Sequence, residues 1–360
     1  MKYNEIRKQR KEIKIGNVCI CGHSPIAIQS MTNTRAGDHE AALRQIQALE
    51  AAGCEIVRIS VPSVEAADTI TYVKDRGVGI PIVADIHFDY KLALLCAERG
   101  VDKIRINPGN IGSDDKVDQV CRVCNARNIP IRIGVNSGSL EKHILAKHGE
   151  PTAEALCESA LYHMSLLEKY DFNNITISIK SSDVKRMIDA NVMLSDRCEY
   201  PIHLGVTEAG AGRAGLIKSS AGIGALLCQG IGDTVRVSLT DDPVSEIKAA
   251  RELLTALDIE GQRGLNVISC PTCGRTSIDL IALYREFTET ATRLGLDGIP
   301  ATVAIMGCAV NGPGEAREAD FGVAGGQGEA LLFRRGEICE KIPENKIIEV
   351  LINELRNITK

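Results

Sequence analysis

The chain has 360 residues, 44% hydrophobic and 25% charged, with a net charge of −5. That length and balance predict a globular protein with one large domain and a smaller one, and they exclude nucleic acid as the main partner. Aromatic residues are 3% with no Trp, which argues against base-stacking surfaces, and no apolar run is long enough to span a membrane.

The N-terminal "MKYNEIRKQRKEIKIG" is basic but lacks the apolar core of a signal peptide, so a cytoplasmic protein is expected. Thirteen cysteines, an odd number in a chain with no export signal, predict free thiols rather than a disulfide framework. Most should be small core residues. Cys19 and Cys21 alternate in a strand-like run. Cys121 and Cys124 fall on one helix face with Val117 and Val120. Both pairs are read as packing residues.

Eight short β-branched runs follow in order: "PIAIQSM" (25–31), "EIVRISV" (55–61), "PIVADIH" (81–87), "KIRINPG" (103–109), "PIRIGVN" (130–136), "ITISIKS" (175–181), "PIHLGVTE" (201–208) and "TVRVSLT" (234–240). Helical patterns separate them. "DHEAALRQIQALEAAG" is typical, with Leu43, Ile46 and Leu49 on one face, Asp38 as N-cap and Gly53 as stop. Strand–helix alternation implies parallel strands, and eight units predict an α/β fold with an N-terminal (β/α)8 TIM barrel. An open doubly wound sheet is the alternative, but no G-x-G-x-x-G follows the first strand.

In such barrels the chemistry lies at the C-terminal strand ends. These ends carry Gln29 and Ser30, Arg58 and Ser60, Asp85 and His87, Arg105 and Asn107, Arg132 and Asn136, Ser178 and Lys180, Thr207 and Glu208, and Arg236 and Ser238. Residues two apart in a strand share a face. "VRIS", "IRIN", "IRIG" and "VRVS" thus bring four arginines, with Lys180, to one mouth, and the acids expected to offset them are Asp85 and Glu208. The positive excess predicts an anionic ligand with several charges, most simply a diphosphate. His87 beside Asp85 is read as part of that site, and Glu208 as a general acid or base. Residues 209–218, "AGAGRAGLIK", read as a Gly-rich loop that brings Arg213 and Lys218 toward a phosphate. The long gap 137–174, with His143 and His148, reads as a solvated excursion.

"DIEGQRGLN" ends the barrel as a polar linker, giving domains at 1–258 and 265–360. The second is expected to be a small α+β unit: "LNVISC", a helix "TSIDLIALYREFTETATRLG", "ATVAIMG", strands around "DFGVAG" and "ALLFRRG", and a final helix "NKIIEVLINELRN". "CPTCG" with Cys270 and Cys273 is a compact metal-chelating turn, and "MGCAVNGPGEA" adds Cys308. Three thiols leave one position open. Zinc would take Cys339. A [4Fe–4S] cluster also needs four ligands, but one iron can hold a non-cysteine ligand.

"CPTCGR" and "GCAVNGPGEA", behind "QSMTNT", "KIRINPGN", "IRIGVNSGSL" and "GVTEAG", resemble the bacterial 4-hydroxy-3-methylbut-2-enyl diphosphate synthases of the methylerythritol phosphate route over nearly the whole chain. The resemblance implies a [4Fe–4S] cluster on Cys270, Cys273, Cys308 and Glu315. It implies two-electron reductive ring opening of 2-C-methyl-D-erythritol 2,4-cyclodiphosphate, with loss of water, fed by flavodoxin or ferredoxin. By matched motif, Arg58, Arg105, Arg132, Lys180 and Arg236 would hold the diphosphate, with Asn107, Asn136 and Ser238 adding hydrogen bonds. Thr207 and His87 belong to the same site, Glu208 would be the proton donor, and Asn311 would face substrate. A linker of about eight residues reaches ~28 Å at most and leaves from the barrel end opposite the mouth. A homodimer is therefore expected, each cluster domain capping the partner's barrel. Two competing readings are a transferase barrel with structural zinc on Cys270, Cys273, Cys308 and Cys339, and a non-catalytic iron–sulfur sensor of a phosphorylated metabolite.

Overall fold

A computed structural model describes residues 7, 9–259, 264–309, 314 and 316–358. The chain divides into two compact units, Met1–Leu253 and Leu254–Lys360.

The first unit opens with an antiparallel hairpin, β1 (Ile13–Ile15) and β2 (Val18–Ile20). Its turn is Gly16–Asn17, with Gly16 at φ +56°, where a side chain would also press on Asp102 and Pro81. The hairpin buries Ile13, Ile15 and Ile20 against Ala27, Ile56 and Val83. Those three residues lie at or near the starts of their strands, so the hairpin closes the N-terminal end of the barrel.

The barrel strands are β3 (Ala27–Met31), β4 (Ile56–Ser60), β5 (Ile82–Asp85), β6 (Lys103–Ile106), β7 (Ile131–Asn136), β8 (Ile175–Lys180), β9 (His203–Leu204) and β10 (Thr234–Val235). All neighbours pair in parallel, in the order β8-β7-β6-β5-β4-β3-β10-β9. A parallel bridge between Ile177 and Ile202 joins β8 to the start of β9 and closes the ring. The eight predicted runs are the eight strands, and the (β/α)8 reading holds. Between them run α1 (His39–Ala51), α2 (Val64–Lys74), α3 (Tyr90–Glu98), α4 (Asp114–Ala126), α5 (Lys142–His148), α6 (Ala153–Glu168), α7 (Val184–Ser195) and α8 (Gly212–Leu227); α9 (Pro243–Ala256) follows the last strand.

Helix α1 shows the local logic. The Asp38 carboxylate accepts the Ala41 N–H, and Ala42, Leu43, Ile46 and Leu49 are buried. Each large aliphatic contributes about 1.5–3 kcal/mol by leaving water. Gly53, at φ +89°, turns the chain out of the helix. Cys121 and Cys124 are buried beside Val117 and Val120, as expected for packing residues.

Two sequence expectations change. Residues 137–174 are not a solvated excursion: they contain α5 and α6, and α6 is the crossover helix that packs beside β7 and β8. Residues 209–218 are a loop only as far as Ala211, because α8 starts at Gly212.

The second unit carries a mixed sheet of β11 (Asn266–Ser269), β12 (Thr302–Met306), β13 (Phe321–Gly325), β14 (Glu329–Arg334) and β15 (Glu337–Pro343), in that order. The first three are parallel and the last two antiparallel to their neighbours. Helices α10 (Leu280–Arg293) and α11 (Ile347–Ile358) bury Phe287, Ala291, Leu351 and Leu355 against Val303, Ile305, Val323 and Leu332. The alternate residues Ala304, Met306, Ala324 and Phe333 face Ala316 and Ala319 on the other side. Strand β15 was not anticipated. Its "EICEKIP" is exposed except for Ile342, the charged composition of an edge strand.

Candidate functional site

Within the first unit, the strand ends form a cavity of about 220 Å³. It is lined by Arg58, Asp85, His87, Arg105, Asn136, Ser178, Lys180, Thr207, Arg236 and Ser238. Every one of these was singled out at a strand end, and they come from seven of the eight strands. The structure brings these strand-end residues to one cavity.

Asp85 is the hub. One carboxylate oxygen lies 3.1 Å from Arg105 Nη1 and the other 3.6 Å from Arg58 Nε. Burial pushes this carboxyl up, but the Arg58 and Arg105 guanidiniums outweigh it and hold it at about 2. Arg58 also donates to Met31 Sδ at 3.0 and 2.9 Å. Burial, opposed by Asp85, brings Arg58 down to about 10.

Glycines make room for these cations. A Cβ at Gly134 would sit 2.2 Å from Arg105 Nε, and one at Gly205 would sit 2.8 Å from Lys180 Nζ. The "IRIG" and "HLG" glycines thus let an arginine and a lysine fold across the neighbouring strands. Arg105 Nη2 donates to the Gly134 carbonyl at 3.2 Å.

The second internal acid is Glu246, not Glu208. Glu246 is buried and accepts from Arg236 Nε at 3.2 Å and Nη2 at 3.3 Å, from Ser30 Oγ at 2.9 Å, and from the Leu239 N–H. It lies in the first turn of α9 and was missed, since an acid there also reads as an ordinary helix-dipole residue. Glu208 is exposed, at φ +54°, and is not among the cavity-lining residues. Arg132 and Asn107 are buried and also do not line the cavity; Asn107 Oδ1 accepts the Gly109 N–H at 3.1 Å.

Beneath the cavity lies a polar layer of the barrel interior. Gln29, Lys103, Arg132, Thr176 and His203 are all at most 2% exposed. Lys103 Nζ, the three Arg132 guanidinium nitrogens, both Gln29 amide atoms, Thr176 Oγ1 and His203 Nε2 have no hydrogen-bond partner within the protein. Burial and the neighbouring cations push Lys103, Lys180 and His203 well below their ordinary values. Lys103 sits two residues before Arg105 on the same face, so the pattern that found Arg105 also pointed to it. The four arginines Arg58, Arg105, Arg132 and Arg236 alone outnumber the two carboxylates Asp85 and Glu246, before Lys103 and Lys180 are counted, which leaves a positive excess in a chain whose net charge is −5. Arginines so placed suit the oxygens of a polyanion.

In the second unit the predicted thiols follow adjacent parallel strands, Cys270 just after β11 and Cys308 just after β12. The Gly307 N–H points at Cys270 Sγ at 3.3 Å. The Gly307 carbonyl accepts from the Ser277 N–H at 3.0 Å and its hydroxyl at 3.3 Å. A Cβ on Gly307 would come within 2.9 Å of Thr276, so a glycine is required where the two loops meet. Cys273 is exposed, and N–H donors from Arg275 hold its thiol below its usual value, favouring the thiolate. Asn311 and Glu315 lie outside the described residues.

The donor set fits an iron–sulfur cluster. Among the described residues, the one trio of metal-ligating atoms within 4.8 Å of one another is Glu12, Cys19 and Cys21. Cys270, Cys273 and Cys308 do not form such a single-ion trio. Cys339 is excluded as their partner. It lies on β15, four strand spacings or about 19 Å from β11. The four-cysteine zinc reading falls on that distance.

Among the described residues no helix is long and apolar enough to cross a membrane. Residues 10–251 match the family model of the GcpE TIM-barrel domain, and residues 266–357 that of the GcpE protein C-terminal domain. A protein of Fusobacterium nucleatum is 53% identical over 346 residues, 96% of each chain. One of Ruminiclostridium cellulolyticum is 54% identical, over 97% of this chain and 98% of its own. Both are named 4-hydroxy-3-methylbut-2-en-1-yl diphosphate synthase (flavodoxin).

Proposed function

The chain belongs to the GcpE family, and from that premise we propose how its residues divide the family's reaction. The protein is an iron–sulfur oxidoreductase, a 4-hydroxy-3-methylbut-2-en-1-yl diphosphate synthase. It reduces 2-C-methyl-D-erythritol 2,4-cyclodiphosphate in isoprenoid precursor synthesis. Two electrons and two protons enter, the cyclic diphosphate opens, and one water leaves.

The observation that carries the substrate assignment is the excess of cations over carboxylates at and just beneath the barrel mouth. Arg58, Arg105, Lys180 and Arg236 grip the diphosphate, and Arg132 adds its charge from beneath. Asp85 and Glu246 hold three of those guanidiniums in place before substrate arrives, so little reorganisation remains. His87, Asn136, Thr207 and Ser238, which line the cavity, orient the remaining oxygens. Glu208, exposed at the rim, donates a proton to the departing hydroxyl so that it leaves as water.

Cys270, Cys273 and Cys308 would hold a [4Fe–4S] cluster, with Glu315 as its fourth ligand and Asn311 contributing to the same site. When bound, the cluster supplies electrons singly and a Lewis-acidic iron. Electrons come from flavodoxin, the donor in the names of the relatives, with ferredoxin as the alternative. The enzyme works in the cytoplasm as a homodimer, domains 1–258 and 265–360 of each chain meeting those of the partner so that cluster covers mouth in trans. The short linker supports this, and a monodisperse monomer with full activity would refute it.

The test is an anaerobic assay with reduced flavodoxin and the cyclodiphosphate. Iron-loaded enzyme should yield the linear hydroxybutenyl diphosphate, and Glu208→Gln should bind substrate but turn it over far more slowly. Absence of product from fully iron-loaded enzyme would overturn the assignment.

A further inference from the structure

A second set of metal-ligating side chains lies outside this site, on the N-terminal hairpin. The Cys19 and Cys21 thiols and the Glu12 carboxylate bring one ligand atom each to within 4.8 Å of the others. The arrangement is local and built. Cys19 and Cys21 are two residues apart in an extended run, so their side chains share a face. Glu12 directly precedes β1, the paired strand. Both thiols are free.

The Cys21 sulfur is held in position. Ser24 Oγ lies 3.2 Å from Cys21 Sγ, and the backbone N–H groups of His23 and Ser24 also point to that sulfur. Among the ion pairs of the described residues, Glu12 makes only a 4.0 Å contact with the exposed Lys14. The opposite face of the hairpin is the apolar plug of Ile13, Ile15 and Ile20 at the N-terminal end of the barrel.

We propose that Glu12, Cys19 and Cys21 form a zinc site that clips the hairpin over that end of the barrel. Two thiolates and one carboxylate at single-ion spacing match the donors zinc selects, and a water or the exposed His23 completes four-coordination. Zinc binding displaces the thiol protons to solvent, with no change of oxidation state. The site differs from the iron–sulfur thiols in both place and geometry, so the two metals load independently.

Anaerobically prepared holoenzyme, dialysed against low-micromolar zinc, tests this. Wild type should retain one zinc per chain beyond the iron, and its thermal midpoint should rise with zinc. Cys19→Ser and Glu12→Gln should lose that zinc and that rise while keeping wild-type iron content, colour and turnover. Zinc retained unchanged by Cys19→Ser, or no zinc held by wild type, would overturn the proposal. A Cys19→Ser protein that lost iron as well would also overturn it, because the two sites would not be independent. The zinc and iron readouts do not depend on the identity of the substrate.

Discussion

The barrel mouth and the thiol end of the second unit assemble their chemistry in opposite ways. In the barrel, the arginines of the mouth stand on strands and are held by opposite charge: Asp85 between Arg58 and Arg105, Glu246 against Arg236. In the second unit, the thiols sit on loops just past the strands, half-exposed or exposed, and what laces the loops together is backbone hydrogen bonding at Gly307. The barrel is thus a charge cage with its geometry set and its charge unbalanced. The thiol end has three donors in place and depends on its inorganic group to unite them. Substitutions in the barrel should therefore move stability and substrate affinity, and those at the thiols should move iron.

The sharpest way to break that contrast is Asp85→Asn. It leaves two buried guanidiniums without their shared acid and should cost about 3–5 kcal/mol of folding stability. The sign with pH follows from the shift. Asp85 titrates at about 2 in the folded chain against an ordinary 3.8, so its contribution is complete above the ordinary value and is lost as pH falls from there through 2. Denaturant midpoints measured down that window should converge for wild type and variant. Parallel curves would mean that Asp85 is not the hub.

Lys180→Met comes next. Lys180 lines the cavity without a carboxylate partner among the described residues. Losing one charge-assisted bond, about 1.5–3 kcal/mol, should raise KM by roughly 10- to 100-fold. Folding stability and iron content should hold, and an unchanged KM would remove Lys180 from the diphosphate site. Lys103→Met should act the other way on stability. The buried ammonium has no partner, so replacing it with an apolar chain of similar length should raise folding stability by about 1–2 kcal/mol. A loss instead would show that the layer holds a compensating anion or water. Smallest of all, Cys339→Ser on the edge strand should leave iron and turnover unchanged; loss of iron would restore it as a ligand.

The barrel was legible because its signal is repetitive. "VRIS", "IRIN", "IRIG" and "VRVS" mark equivalent inward positions, and the eight runs became the eight strands. What escaped notice lacked that repetition. Glu246 reaches the mouth from a helix turn, where sequence spacing says nothing about which strand it faces. The hairpin at 13–20 did carry a signal, a Gly-Asn pair between two alternating triplets, but six strand residues are a short pattern beside a basic arm. Strand β15 hid because an edge strand is charged where a core strand is apolar. At the thiols, spacing alone pointed to a chelating turn; the topology of the sheet was needed to set Cys339 aside.

The central claim is that Cys270, Cys273 and Cys308 hold an iron–sulfur cluster. Counting iron and sulfide in oxygen-free wild type and in Cys273→Ser tests it most directly. About four irons per chain in wild type, with their colour and reductive turnover, and loss of all three in Cys273→Ser, is the predicted result. An iron-free, colourless wild type that still turns over the cyclodiphosphate, or a Cys273→Ser protein with its full iron, would contradict the account whatever zinc the hairpin carries.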